Sequence, residues 1–355
     1  MNLPQLNAPV SEDTLGHCFA CGEDNPIGLK LKPRYDGEKV TALFTPTTDH
    51  QGWFNITHGG ILYTILDEVT AYSTLCAGFS FGVTAKSSVR FRNPASTGVE
   101  ILASAWITKS TSRLVETRGM LTNPDGTVVA EVESSFIPGR RCSQAFIWDM
   151  DGVIIDSGEP HYQSWHEAFA MHGVSYTREH FHEFFGTRDD LIIKRMLVDV
   201  SAEEIREIED WKEARYRELV NGNVKVLPGV MSLLKVMKSG GFKIGLGTSA
   251  PIENVHAVAA DIGLDEYFSV VVHGREVSEG KPSPEIYLTA ARRMGVDPAD
   301  CIVFEDSPHG VEAAIQAGMK CVAVTNSHPA KELSRATRVV DSLEEMDLIQ
   351  LIRWT

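Results

Sequence analysis

The sequence predicts two unlike domains, an α+β domain followed by an α/β domain with a doubly wound parallel sheet. A chain of 355 residues exceeds the usual size of one domain. Its first 141 residues carry 12 basic and 14 acidic side chains, whereas the remainder carry 21 and 34. The hydrophobic pattern also changes near residue 140, from one helix followed by strands to strands that alternate with helices.

The first part of the chain has the pattern of a single helix among antiparallel strands. Residues 61–72 place apolar side chains at i, i+1, i+4, i+5 and i+8, which predicts a helix with one buried face. The turn Asn123-Pro124-Asp125-Gly126 predicts a hairpin, because Asp-Gly supplies the positive φ of a tight turn. Strands are predicted at residues 40–44, 83–91, 100–108, 114–122 and 127–137.

The second part alternates short apolar strands with helical segments, which is typical of a parallel sheet. Residues 157–225 are almost entirely helical in pattern, with a capping box at Ser201–Glu204, and form an insert between the first two strands. We place the domains at residues 1–140 and 141–355, with a linker around Pro138-Gly139. Strands are predicted at residues 145–149, 242–247, 269–273, 301–305 and 320–325.

The composition excludes several classes of partner. A net charge of −15 and a pI near 5.3 argue against nucleic acid or an anionic membrane surface. Residues 1–13 lack the basic start and apolar centre of a signal peptide, and the uncharged run 69–85 is too short and polar to span a bilayer. Six cysteines in so long a chain do not form a disulfide framework, so we expect a reduced, cytoplasmic protein.

Polar groups suited to phosphoryl chemistry follow the predicted strands of the second domain. Ligands bind at the carboxyl ends of parallel strands, so we expect these groups to form one site. Taken singly, each would be an ordinary solvated side chain, but their repeated position after apolar runs argues against that explanation. In chain order they are Asp149, Asp151, Thr248, Ser249, Lys281, Glu305 and Asp306.

The four carboxylates suggest a metal-assisted reaction. Asp149, Asp151, Glu305 and Asp306 supply the hard oxygen ligands that Mg²⁺ prefers. Asp149 is also the candidate nucleophile, because carboxylates can form aspartyl-phosphate intermediates. Asp151 would protonate the leaving oxygen and later take a proton from water.

The remaining three groups of this set suit phosphate binding. Thr248 and Ser249 offer hydroxyl donors after one strand, and Lys281 offers a cation in the Gly280-Lys281-Pro282 turn. Together they would hold the phosphoryl oxygens and stabilise the charge that develops on them.

Four segments of the second part form a characteristic set. They are Asp-Met-Asp-Gly-Val-Ile-Ile-Asp-Ser from Asp149, His161 with Trp165, Gly-Lys-Pro-Ser-Pro-Glu-Ile-Tyr from Gly280, and Glu-Asp-Ser-x-x-Gly-Val-Glu-Ala-Ala from Glu305. With these segments, residues 144–355 resemble the haloacid dehalogenase-like superfamily of phosphohydrolases, and within it the β-phosphoglucomutase-like branch. This resemblance implies a helical cap over the site at residues 157–225, with His161 at its hinge and Arg188 facing the substrate.

One departure from that branch bears on the reaction. Its mutases carry a lysine just before the glycine of the substrate loop, where this chain has Phe185. The loss of a cation that would hold a sugar phosphate favours a phosphatase acting on small phosphate monoesters. The alternative is a sugar-phosphate mutase that uses the same aspartyl-phosphate, with the first domain serving only for oligomerisation.

The first domain has its own candidate site around the predicted helix. His58, Gly59 and Gly60 immediately precede that helix, and Asp67 lies nine residues after His58, outside the apolar stripe. Backbone N–H groups at a helix start can bind an oxyanion or a thioester carbonyl. Glycines allow a ligand to approach this backbone closely.

Residues 15–138 resemble the hotdog-fold thioesterases, particularly the PaaI-like group. In that group a His-Gly-Gly turn polarises the thioester carbonyl, and an acid nine positions later, here Asp67, acts as base or nucleophile. The resemblance implies an α+β hotdog fold, an acyl-CoA or carrier thioester as substrate, and a homo-oligomer, dimer or tetramer, with each site built across two subunits. The alternative is a catalytically inactive scaffold.

Cys18 and Cys21, with His17 beside them, have the spacing of half a zinc site. Structural zinc sites use two further ligands at matched spacing, and no second cysteine pair follows in this chain. We therefore expect a loop motif of the family here, and Mg²⁺ as the only cofactor.

Overall fold

The computed structural model of the protein describes residues 16–139, 144–184 and 188–353. The interpretations that concern residues 1–13, residues 140–143 of the linker, and Phe185 lie outside this described part. The described residues divide into two compact units, which are drawn from 1–143, 235–242 and 346–355 and from 144–234 and 243–345.

The first unit contains a six-stranded antiparallel sheet of order β1-β2-β6-β7-β8-β5, beside a small β3-β4 pair. All five predicted strands are confirmed, and each bound agrees to within two residues. The elements are β1 (Arg34–Tyr35), β2 (Val40–Phe44), β3 (Gln51–Trp53), β4 (Ile56–Thr57), α1 (Gly59–Cys76), β5 (Gly82–Phe91), β6 (Ile101–Ser110), β7 (Val115–Thr122) and β8 (Val128–Pro138).

Helix α1 packs its apolar face on this sheet, where Leu62, Ile65, Leu66 and Val69 are buried. The predicted helix is confirmed, but it continues four residues past position 72, to Cys76. Buried Thr and Ser side chains in its last turns hid that continuation, because polar residues break the apolar pattern. Their hydroxyls donate to helix carbonyls three or four residues earlier, which makes their burial inexpensive.

The predicted hairpin between β7 and β8 is confirmed. Gly126 has a φ of +84°, which a residue with a Cβ rarely adopts. The Asn123 N–H donates to the Thr127 carbonyl across the turn at 2.9 Å. The turn therefore fixes the register of two neighbouring strands in the sheet.

The second unit is built on a parallel sheet of order β11-β10-β9-β12-β13-β14. Its five predicted strands are confirmed, and β9 lies between β10 and β12. The sixth strand was not predicted, because its three residues are too short to show a period. The strands are β9 (Ala145–Trp148), β10 (Lys243–Thr248), β11 (Val270–His273), β12 (Cys301–Glu305), β13 (Lys320–Val324) and β14 (Arg338–Val340).

The insert between β9 and β10 is helical, as predicted, and we call helices α2 to α5 the cap. The Ser201 capping box is confirmed, because the Ser201 hydroxyl accepts from the Glu204 N–H and the Glu204 carboxylate accepts from the Ser201 N–H. The remaining helices of the chain are α2 (Gly158–Met171), α3 (Arg178–Phe184), α4 (Asp189–Met196), α5 (Ala202–Val220), α6 (Val230–Ser239), α7 (Ile252–Ile262), α8 (Glu285–Met294), α9 (Pro308–Gln316) and α10 (Leu348–Arg353).

No helix in the described ranges is both long enough and apolar enough to cross a membrane.

Candidate active site

The carboxyl ends of β9, β10 and β12 meet at the middle of the parallel sheet, because these strands are neighbours. This end of the sheet opens into a cavity of about 270 Å³ between the sheet and the cap. The predicted residues that line the cavity are Asp149, Asp151, His161, Arg188, Thr248, Ser249, Lys281 and Asp306. Glu305 is fully buried beside them at the end of β12.

Lys281 joins two of the predicted carboxylates. Its Nζ lies 3.0 Å from Asp149 Oδ1 and 2.6 Å from Glu305 Oε1, and its side chain is only 4% exposed. Burial by itself lowers the pKa of Lys281, but the two carboxylates outweigh that effect and raise the pKa. The lysine therefore remains a cation within a buried cluster of acids.

One cation does not balance these acids. Burial raises the pKa of Asp149 to about 7, assisted by the charges of Glu305 and Asp151 and opposed by Lys281. Burial likewise raises the pKa of Asp306 well above its ordinary value, and Glu305 and Asp149 add to the effect. Carboxylate oxygens of Asp149, Glu305 and Asp306 lie within 4.8 Å of one another, which suits a hard divalent cation.

Of the three carboxylates Asp149, Glu305 and Asp306, Glu305 accepts the most hydrogen bonds. Its Oε1 accepts from Lys281 and from the Tyr287 hydroxyl, and its Oε2 accepts from the N–H groups of Asp306 and Ser307 and from the Ser307 hydroxyl. A carboxylate offers about four lone-pair positions, so these donors leave little capacity for a metal. Burial favours the neutral form of Glu305, but Lys281 outweighs burial and lowers the pKa.

Two glycines make room for the acids. A Cβ on Gly152, whose φ is +75°, would lie 1.8 Å from Asp306 Oδ2. A Cβ on Gly310 would lie 1.8 Å from Glu305 Oε1. Any side chain at either position would displace a carboxylate of the cluster.

The Asp151 carboxylate contacts the cap and lies outside the group formed by Asp149, Glu305 and Asp306. Its Oδ1 is 3.2 Å from His161 Nε2 and accepts from the Tyr216 hydroxyl at 3.2 Å. This geometry does not support the prediction that the Asp151 side chain is a metal ligand, because its carboxylate faces the cap. Burial favours its neutral form, but the charge of His161 and its hydrogen bond outweigh burial and lower the pKa of Asp151.

The predicted phosphate-binding and cap residues occupy the rim and wall of the cavity. Thr248 is buried, and its Oγ1 accepts from the Ala250 N–H at 3.1 Å, so its hydroxyl proton can be donated to a ligand. Ser249 beside it is exposed. Arg188 precedes α4 and is half exposed, with Nε 3.0 Å from Asp190 Oδ1.

A second buried charge cluster in the cap also faces the cavity, and it was not predicted. Lys212 is 2% exposed, with Nζ 2.7 Å from Glu213 Oε1, 3.4 Å from Asp189 Oδ2 and 4.9 Å from the centre of the Trp165 ring. The Glu213 carboxylate also accepts from Asn254. Burial favours neutral Glu213, but Lys212 outweighs burial and lowers the pKa of Glu213 to about 2.

The sequence did contain a signal for that cluster. Ile205, Ile208, Lys212, Tyr216 and Val220 occupy the buried stripe of α5, so the lysine stands where an apolar residue is the rule. A lysine on an apolar stripe requires buried acidic partners.

In the first unit, His58 caps α1. Its Nδ1 accepts from the Gly60 N–H at 2.9 Å, so the Gly60 amide is already occupied. No described residue accepts a hydrogen bond from the Gly59 N–H, and this amide remains for a ligand. Of the two backbone N–H groups predicted to bind a thioester carbonyl, that of Gly59 is therefore the one left to do so.

Asp67 lies on α1 and is half buried, and its Oδ1 accepts from the Thr84 hydroxyl of β5 at 2.9 Å. Gly59 and Asp67 are separated by eight residues of one helix, about 12 Å along its axis. A carbonyl held by Gly59 is therefore out of reach of Asp67 in the same chain. The structure does not bring these two predicted residues together within one subunit.

The comparisons with known families match both regions. Residues 146–324 match the family model described as haloacid dehalogenase-like hydrolase. Residues 54–130 match the family model described as thioesterase superfamily. Each matched segment contains one of the two candidate sites.

Individual proteins resemble the region that contains residues 146–324. A phosphorylated carbohydrates phosphatase of Thermotoga maritima is 32% identical over 182 residues, covering 50% of this chain and 82% of that protein. The structure of β-phosphoglucomutase from Clostridium difficile is 30% identical in sequence and has a TM-score of 0.54. The match covers 59% of this chain and 96% of that one. A variant of CbbY from Rhodobacter sphaeroides, solved with xylulose-(1,5)bisphosphate, is 30% identical in sequence and has a TM-score of 0.53. The match covers 57% of this chain and 95% of that one.

Gly152→Ala tests the close packing of the carboxylate cluster. We expect a loss of at least about 2 kcal/mol in the free energy of unfolding, because alanine is strained at positive φ and its Cβ would displace Asp306. Gly158→Ala is the matched control, since Gly158 begins α2 with nothing within 4 Å of the added Cβ. Urea denaturation measures both variants. Equal stabilities would contradict the packing argument.

Proposed function

The chain belongs to the haloacid dehalogenase-like hydrolases, and on that basis we propose that it is a bifunctional hydrolase with two independent sites. The second domain, residues 141–355, hydrolyses small phosphate monoesters through an aspartyl-phosphate. The first domain, residues 1–140, hydrolyses acyl thioesters of coenzyme A or a carrier. The observation that carries the phosphatase activity is the convergence of Asp149, Lys281 and Asp306 in one cavity.

In the phosphatase reaction, an Asp149 carboxylate oxygen attacks phosphorus and the bond from phosphorus to the leaving oxygen breaks. The protonated Asp151 carboxyl, whose Oδ1 lies 3.2 Å from His161 Nε2, donates its proton to the leaving oxygen, which departs as an alcohol. Water then gives a proton to Asp151 and attacks phosphorus, which releases inorganic phosphate and regenerates Asp149. The lowered pKa of Asp151 suits this second role as a base.

Asp149 and Asp306 are the residues that would hold Mg²⁺. Among the described residues, Lys281 is the one cation that compensates their buried charge, whereas Glu305 is saturated by hydrogen bonds. We therefore assign Glu305 to positioning Lys281, which differs from its predicted use as a ligand. A bound Mg²⁺ would neutralise charge on the phosphoryl oxygens.

Thr248, Ser249 and Lys281 would donate to the phosphoryl oxygens from the sheet side of the cavity. The cap side carries Arg188, Lys212 and a group of carboxylates, Asp189, Asp190, Glu209 and Glu213. Alternating donors and acceptors of this kind suit a polyhydroxylated substrate. A phosphorylated sugar or sugar alcohol is therefore the substrate class that we propose.

For the first domain, we propose that the Gly59 N–H at the α1 N-terminus polarises the thioester carbonyl. His58 would orient this turn through its bond to Gly60, and Asp67 would act as base or nucleophile. A long helix packed on a six-stranded antiparallel sheet supports the hotdog fold.

The spacing along α1 supports a site shared by two subunits. Because Gly59 and Asp67 lie about 12 Å apart on one helix, a second copy would have to supply the acid. Trp53 and Phe54, close before this turn, are 82% and 85% exposed, and β5 lies at the edge of the sheet. Exposed aromatic side chains of this kind mark interaction surfaces, so we propose a homodimer or a tetramer.

Asp149→Asn should abolish phosphate release, because the amide keeps the shape but loses the nucleophilic and metal-binding charge. Asp156→Asn is the matched control, since Asp156 is exposed in the same loop and does not line the cavity. Release of inorganic phosphate from a panel of sugar phosphates is the measurement. A chelator should have the same effect on the wild type. Activity within about tenfold of wild type would remove Asp149 from its role.

Mg²⁺ affinity should fall by at least about tenfold between pH 8 and pH 6, since a proton on Asp149 competes with the metal below its pKa of about 7. Calorimetric titration at several pH values measures the affinity. Two buffers of different ionisation enthalpy count the proton released. An affinity that is constant over this range would show that Asp149 is ionised without the metal.

Glucose 1-phosphate distinguishes the phosphatase from the mutase. The replacement of a mutase lysine by Phe185 predicts inorganic phosphate or no product from this substrate. Nuclear magnetic resonance of phosphorus follows both possible products in one sample. Accumulation of glucose 6-phosphate would establish the mutase alternative.

Asp67→Ala should lower thioesterase activity by about 10²–10⁴-fold and leave phosphatase activity unchanged, because every candidate thioesterase residue lies in the first domain and every candidate phosphatase residue in the second. Glu100→Ala, which removes an exposed carboxylate from the same unit, is the control. Both activities are assayed on one preparation with panels of acyl-CoA and phosphate esters. Persistent thioester hydrolysis would exclude Asp67, and a parallel loss of both activities would exclude independent domains.

A further inference from the structure

Three side chains that neither reaction uses converge beside α1. Cys18 and Cys21 lie in the loop before β1, and Glu68 lies on α1, about fifty residues later in the chain. Cys18 Sγ is 3.8 Å from Glu68 Oε1 and 3.9 Å from Oε2. Single ligand atoms of all three residues lie within 4.8 Å of one another.

The separation of Cys18 Sγ from Glu68 is close to an edge of a metal tetrahedron, and the Cys21 ligand atom lies within 4.8 Å of both. Zn–S and Zn–O bonds of about 2.3 and 2.0 Å at tetrahedral angles place sulfur about 3.5 Å from oxygen and about 3.8 Å from a second sulfur. The observed distance from Cys18 Sγ to Glu68 Oε1 is close to this value. The cysteines are free, and Cys21 is buried while Cys18 is half buried.

The surroundings also suit a thiolate site. The Tyr72 hydroxyl of α1 donates to Cys21 Sγ at 3.2 Å, which orients a ligand in the way that outer hydrogen bonds do in metal sites. The Gly22 N–H donates to the Cys18 carbonyl at 2.9 Å and closes the turn. A Cβ on Gly22 would lie 2.4 Å from the Gly16 carbonyl oxygen, so only glycine fits this turn.

We propose that Cys18, Cys21 and Glu68 bind one Zn²⁺, with a water or an exogenous ligand in the fourth position. The sequence argued against zinc because no second cysteine pair follows, but the fold supplies the third ligand from a helix. Binding releases the two thiol protons to solvent, and two thiolates with one carboxylate then surround the cation. The metal would fasten the loop before β1 to α1, next to Asp67.

Cobalt titration of the reduced, chelator-treated full chain tests this site. Co²⁺ is the probe, because its bonds to thiolate absorb strongly in the near ultraviolet and tetrahedral Co²⁺ absorbs in the visible. We expect one equivalent of this signal per chain, displaced by Zn²⁺. Co²⁺ bound by Asp149 and Asp306 has no thiolate ligand, so Asp306→Asn should leave the signal unchanged.

Variants separate the three ligands. Cys21→Ser should remove the thiolate signal, and Glu68→Gln should weaken cobalt binding by at least about tenfold. Cys76→Ala, which removes a thiol from the same helix outside the cluster, should change neither. In the wild type, Zn²⁺ should protect Cys18 and Cys21 from alkylation, which needs no variant and is read by mass spectrometry.

The proposal fails if reduced protein gives no thiolate signal with excess Co²⁺. It also fails if Glu68→Gln binds Co²⁺ like the wild type, or if the purified protein contains a Cys18–Cys21 disulfide that excludes metal.

Discussion

In the described part of the chain, one buried cation, Lys281, contacts the acids at the centre of the parallel sheet. Its Nζ contacts both Asp149 and Glu305, while Asp306 adds a third carboxylate without a lysine of its own. Leaving one of these charges unpaired in the interior would cost several kcal/mol, so the surplus must be relieved by protons or by a divalent cation. The raised pKa values of Asp149 and Asp306 show that protons can relieve the surplus negative charge. A bound metal ion would relieve it in the second way. The chemistry of the site follows from this imbalance, because the groups that take up the proton are those that would bind the metal.

The rest of the second unit serves to hold that cluster together. Neighbouring strands β9 and β12 place Asp149 and Asp306 at one edge, and Glu305 ties the end of β12 to Lys281. Gly152 and Gly310 keep the backbone close enough for the carboxylates to meet. The cap repeats the same device, with Lys212 buried between acids. A cavity with fixed charges on both walls favours a hydrophilic, phosphorylated substrate over an apolar one.

In the first unit, the site that we propose is built on a backbone donor and not on buried ions. Its candidate site begins at the N-terminus of α1, where no described residue accepts a hydrogen bond from the Gly59 N–H. The helix that provides this donor also carries Asp67, and its length keeps the two apart in one chain. The same helix presents Glu68 to the two cysteines of the preceding loop. One helix thus contributes to the core, to the proposed shared site and to the proposed ligand set, since its different faces meet different neighbours.

The sequence by itself determined ten of the strands, the main helix, the capping box at Ser201 and the order of the phosphoryl-handling residues. These features depend on local periodicity and on short motifs, which a chain displays directly. Only the tertiary structure decided which charges meet. It joined Lys281 to Glu305, turned Asp151 toward His161, buried Lys212 among acids and brought Glu68 to Cys18 and Cys21. Apart from Lys212 and Glu213, which are neighbours, these partners lie ten to fifty residues apart in the chain. Their energies depend on burial, which no local pattern records.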